Sequence, residues 1–168
     1  VLALAAEMLF LSGLVATLDQ GLQNAAKALA SGAAHEHFAK MVVELGGPVN
    51  FMERPEQHLP AASYIRPCPS AVTGYVASVD TRAVGVAVIG LGGGRQRASD
   101  TIDCSVGFTE VAQVGDPVSA DTPLAIIHAH DKAAADKAAQ ELTKAFVITD
   151  TQTTPGDMIL RRVEGDSV

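Results

Sequence analysis

Apolar positions recur at helical spacing through residues 1–45. The run VLALAAEMLFLSGLVA is followed by a second helical stretch from Leu18 to Ala30. Phe38, Met41, Val42 and Leu45 then fall at i, i+3, i+4 and i+7 on one face. Gly46-Gly47-Pro48 stops the pattern, because glycine accepts the left-handed cap and proline cannot continue the turn. Five of the eight prolines lie in 48–69, so that stretch is expected to be extended or turning, with a boundary near Pro60.

Beyond it the period changes. Residues 74–79 alternate weakly as a strand, and Asp80-Thr81 offers an N-cap for the run to Leu91. Within that run Val84, Val86 and Val88 alternate as a strand would, while the Asp80 cap and the closing glycines suit a helix. Residues 105–111 and 124–128 read as strands, 131–145 as an alanine-rich helix, and 146–149 and 158–163 as two final strands joined by a Pro155-Gly156 turn. The resulting class is α+β: a helical segment at 1–47, a connector at 48–60, and at 61–164 a domain in which helices cover one face of a mainly antiparallel or mixed sheet. Residues 165–168 are expected to fray.

The composition fits one domain, or a domain with an appendage: 168 residues, 48% of them apolar. A net charge of −7 with no lysine or arginine run argues against a nucleic-acid or anionic-membrane surface. Glu7, Ser12 and Gly13 interrupt the opening apolar run well before the roughly 20 residues a bilayer requires. That run carries apolar residues on every side, which suits a helix inside a larger core, so neighbours are expected upstream of Val1. Cys68 and Cys104 lack metal-ligand spacing and suit a reduced, cytoplasmic compartment.

Few residues offer chemistry. Gly92-Gly93-Gly94-Arg95 invites a phosphate-loop reading, but no Lys-Ser or Lys-Thr follows, and glycines that close a helix meet the dipole end that repels anions. The simpler expectation is a helix terminator and a surface loop. His128 and His130 form a His-x-His pair that supplies two metal ligands and no third, while His35 and His37, two apart on a helix, face different ways. Ser99, Asp100, Thr101 and Asp103 are expected to hydrogen-bond within their loop. Asp131-Lys132-Ala133 and the preceding Val114–Val118 turn echo lipoyl and biotinyl carrier domains. A swinging-arm lysine, however, needs a hairpin tip, and Lys132 opens a helix.

Several blocks carry a more specific likeness: MVVELGGP at 41–48, VDTRAVGVAVIGLGGGR at 79–95, SDTIDCSVGF at 99–108, VGDPV at 114–118 and PLAIIHA at 123–129. Together they resemble the C-terminal part of the thymidine and pyrimidine-nucleoside phosphorylases, over about residues 1–163. The resemblance implies a hammerhead-like C-terminal domain, a helix at 81–91, and a 1–47 segment that ends the central domain of a longer enzyme. It also implies an activity, cleavage of a pyrimidine nucleoside with inorganic phosphate as co-substrate, in a full-length homodimer whose contact lies in an amino-terminal lobe. This chain alone would then be a possible monomer. The family's Lys-x-Ser-x-Gly-Gly phosphate loop has no counterpart beside Lys27, Lys40, Lys132, Lys137 or Lys144, and the resemblance implies that its base-gripping residues would precede Val1. The expectation is therefore no catalytic residue, no metal and no cofactor in this chain. Gly92, Gly93, Gly94, Arg95 and Arg97 would be a loop bordering the substrate cleft, and the missing N-terminal and central domains would be the partners. The alternative reading is an independent hammerhead-type carrier or interaction module.

Overall fold

A computed structural model describes residues 1–163, which form two compact units, one at Val1–Leu59 and a second from Pro60 on. The expected fray at 165–168 lies outside the described residues. The first unit holds three helices, α1 (Leu2–Leu11), α2 (Leu18–Ala30) and α3 (Ala33–Glu44), and a 3-10 turn at Pro55–Gln57 within residues 48–59. Thr17 caps α2 by accepting the Gln20 N–H, and α1 and α2 pack with Ala6 and Gly21 buried between them. Little else in this unit is buried: α3 buries no residue, and Leu4, Met8, Leu11 and Leu14 are all at least 70% exposed.

The second unit is α+β. Its strands are β1 (Tyr64–Cys68), β2 (Gly74–Val79), β3 (Gly107–Thr109), β4 (Pro117–Val118), β5 (Ala125–Ala129) and β6 (Phe146–Thr149); its helices are α4 (Thr81–Leu91) and α5 (Lys132–Ala145). They form two three-stranded antiparallel sheets, β1-β5-β3 and β4-β2-β6, where one sheet was expected. Along β5 burial alternates strictly, with Ala125, Ile127 and Ala129 inward. On α5, Ala135, Ala138, Leu142 and Ala145 form the buried face, and the three small alanines let the helix sit close on β1, β5 and β6. Leu124, Val76, Val118, Leu91 and Phe146 complete this core.

The valine run at 84–88 is helical. Asp80 accepts the Ala83 N–H at 2.9 Å, and Gly92 ends the helix at φ +101, so the capping signals override the alternation. Two other expectations need correction. Residues 158–163 form no strand, for β6 pairs with β2, and β-favouring side chains make no ladder without an edge to join. The strand expected at 105–111 shrinks to β3, because the Asp103 carboxylate takes the Ser105 N–H at one end and Glu110 turns to φ +51 at the other. The proline-rich stretch at 48–69, expected to be extended or turning, carries β1 near its end, where Pro67 is tolerated because the strand lies at a sheet edge.

Candidate functional site

The loop after α4 is built by its two carboxylates. Gly92 and Gly93 donate their N–H groups back to Ile89 O and Val88 O, both at 3.0 Å, so these amides serve as the helix terminus and are not offered to a phosphate. At Gly93 a Cβ would lie 2.8 Å from Val88 Cγ1, and at Gly94 2.7 Å from Ile89 Cγ1. Close packing against α4 thus accounts for both glycines. At the tip, Asp100 Oδ2 accepts the Gln96 and Arg97 N–H groups at 3.0 and 2.8 Å. At the base, the Asp103 N–H donates to Gly92 O at 3.0 Å, and Asp103 Oδ1 accepts from the Ser105 N–H and Oγ–H at 2.8 and 2.7 Å. Arg95 and Arg97 are exposed on this framework.

The two histidines of the His-x-His pair go to different partners. His128, on β5, meets Thr109 Oγ1 through Nε2 at 2.9 Å, and His130, just beyond β5, meets Asp103 Oδ2 through Nε2 at 3.0 Å. Among the described residues no group of three or more His, Cys, Asp or Glu could hold a metal ion. His35 and His37 are exposed on α3. The His130–Asp103 pairing had no local signal in the sequence, because the two residues are joined by a turn of the fold and not by a helical or strand spacing.

The Ser105 hydroxyl and amide, with a smaller contribution from His130, hold the Asp103 carboxyl below its ordinary value. A carboxyl whose pKa is depressed on folding gives its full stabilisation above the unfolded value, about 3.9, and loses it as pH falls through the lower folded value. A carbon-13 NMR titration of Asp103 should therefore show a midpoint below that of an unstructured peptide; a midpoint at or above the peptide's would contradict this geometry.

Lys132 is the first residue of α5, with Asp131 capping the helix through the Ala134 N–H at 2.8 Å. Its Nζ lies 2.6 Å from Asp136 Oδ2, while Arg66 Nη2 lies 2.8 Å from Asp136 Oδ1. The pairing raises the Lys132 pKa and lowers that of Asp136. Lys132 is thus a charged residue of a helix, in neither the hairpin setting nor the neutral state that a carrier lysine or a nucleophilic amine needs. Beside this group, Cys68 is buried under α5, and burial pushes its thiol up, away from the reactive thiolate; Cys104 is exposed. No described helix is long and apolar enough to cross a membrane.

Residues 75–149, from β2 through β6, match the family described as pyrimidine nucleoside phosphorylase C-terminal domain. Nearly the whole chain is similar to thymidine phosphorylases. That of Burkholderia cenocepacia is 44% identical over 160 residues, covering 95% of this chain and 36% of the relative. That of Burkholderia orbicola is 44% identical over 154 residues, 92% of this chain and 35% of the relative. For Mesorhizobium japonicum the figures are 42% over 162 residues, 96% and 37%. The chain thus spans about a third of the length of these curated relatives. The α+β unit with its capped α4 and α5 thus matches, over its central strands and helices, the C-terminal domain of the pyrimidine nucleoside phosphorylases, and the likeness to thymidine phosphorylases runs nearly end to end along the chain.

Proposed function

We propose that this chain is the C-terminal part of a thymidine phosphorylase-like enzyme, which converts thymidine and inorganic phosphate to thymine and 2-deoxyribose 1-phosphate, and that it serves there as scaffold and cleft wall. The observation that carries this reading is coverage: the likeness takes in 95% of the chain and 36% of the relative. Phosphorolysis needs phosphate held beneath the anomeric carbon and the departing base stabilised as it gains negative charge. Gly92 and Gly93 spend their amides on α4 and Lys132 is paired with Asp136, which supports placing both tasks outside the residues described above. In this reading the reacting groups belong to domains N-terminal to this one, in a cytoplasmic homodimer, with the 92–103 loop and its Arg95 and Arg97 bordering the cleft. The apolar row of Leu4, Met8, Leu11 and Leu14 on and after α1 supports it, since exposed apolar surface of that kind marks a place where further protein packs.

The test is direct. The purified 168-residue chain, given thymidine and phosphate, is expected to release no thymine above the uncatalysed background. Turnover that survives repurification would overturn the assignment of chemistry to other domains. Mass spectrometry of the same sample should find Lys132 unmodified; a lipoyl or biotinyl adduct there would favour a carrier module instead.

A further inference from the structure

His130 occupies a rigid point of the second unit. It follows the last residue of β5, Ala129, whose side is buried, and precedes Asp131, the N-cap of α5, so the backbone is held on both sides of it. From there its ring reaches two places in the loop at once. Its Nε2 lies 3.0 Å from Asp103 Oδ2, and 3.8 Å from where a Cβ on Gly92 would stand. Gly92 and Asp103 are the first and last residues of the loop, themselves joined by the Asp103 N–H to Gly92 O bond at 3.0 Å. The loop is therefore closed at its base by three groups: Gly92 at the end of α4, Asp103, and His130 at the β5–α5 junction. Its tip is tied separately, by Asp100.

We propose that His130 and Asp103 form a clasp that fixes the base of the 92–103 loop to the β5–α5 junction, making His130 a positioning residue for Arg95 and Arg97. That the loop borders a substrate cleft rests on the functional reading above; the clasp itself does not. The pair is partly exposed, and exposed pairs of this kind contribute little to global stability, so a local effect is expected and not unfolding. Opening of the base should show at the Asp103 and Ser105 amides, which are bonded within the clasp.

Hydrogen exchange by NMR on the full chain tests this. In His130→Ala the Asp103 and Ser105 amides are expected to exchange about two- to five-fold faster, with the Gln96 and Arg97 amides and those of β5 and α5 unchanged. His130→Gln, whose side-chain N–H can still donate to Asp103, should restore most of the protection. Asp103→Asn, which keeps an acceptor for Ser105 and removes the charge, should give a smaller change in the same direction. Unchanged exchange at Asp103 and Ser105 in His130→Ala and Asp103→Asn overturns the clasp, as does faster exchange that His130→Gln fails to reverse. In a longer phosphorylase that includes this chain, His130→Ala should raise the KM for nucleoside more than it lowers kcat. If exchange quickens while both constants stay put, the clasp stands and the cleft-wall role of the loop falls.

Discussion

Replacing Leu142 by alanine is expected to destabilise the second unit by about 3 kcal/mol, within the roughly 2–5 kcal/mol typical of large-to-small changes in a core. Leu142 is fully buried, and it is the largest inward side chain of α5, whose other buried positions are Ala135, Ala138 and Ala145. Short neighbours cannot swing into the space that a missing isobutyl group leaves, so most of the cavity should persist. Urea denaturation followed by circular dichroism measures the loss. A change below about 1 kcal/mol would mean that α5 is not seated on β1, β5 and β6 as described. Lys137, on the same helix but exposed, serves as the comparison: Lys137→Ala should alter stability by no more than about 0.5 kcal/mol.

Gly115→Ala is expected to cost about as much by a different route. Gly115 sits at φ +92 in the turn of the VGDPV block, where an L-residue costs roughly 1–2 kcal/mol. A Cβ there would also stand 2.5 Å from Thr153 O and 3.3 Å from Pro155 Cδ, and overpacking of this kind typically costs about 1–3 kcal/mol. The turn has little freedom to yield. Gly115 N–H donates to Val76 O at 2.8 Å, Asp116 N–H to Gln113 O at 3.0 Å, and Asp116 Oδ2 accepts the Gln113 N–H at 2.8 Å. Together these predict a loss near 3 kcal/mol by the same denaturation experiment. Gly156→Ala is the control, because nothing lies within 4 Å of a Cβ there and no positive φ is needed; it should fall within about 0.5 kcal/mol of the parent. Equal losses in the two variants would show that the clash with Thr153 and the left-handed turn are not what the VGDPV glycine answers to.

These two variants also separate what the domain does as scaffold from what the 92–103 loop does at its surface. Leu142 and Gly115 hold strands and helices together, whereas the His130–Asp103 pair touches only the loop base. Stability measurements should respond to the first pair of positions and amide exchange in the loop to the second.

Local chemistry was readable where it acts over a few residues. Thr17, Asp80 and Asp131 each accept an amide three residues on, Gly92 closes α4, and β2 and β6 coincide with the alternating and apolar runs at 74–79 and 146–149. The likeness carried by the 79–95, 99–108 and 123–129 blocks agrees with the family match over residues 75–149. Only the tertiary structure decided the rest. A strand exists when it finds an edge: Tyr64 pairs with Ala129 and Cys68 with Ala125, so a stretch punctuated by prolines became β1, while 158–163, which contains no proline, became no strand. The division into two sheets, and the meeting of His130 with Asp103, depend in the same way on residues remote in the chain. Capping and periodicity are set by the backbone's own neighbours and are therefore written in consecutive residues. Ladder partners and ion pairs across the fold depend on which surfaces the packed core brings together, and no short run of residues encodes that.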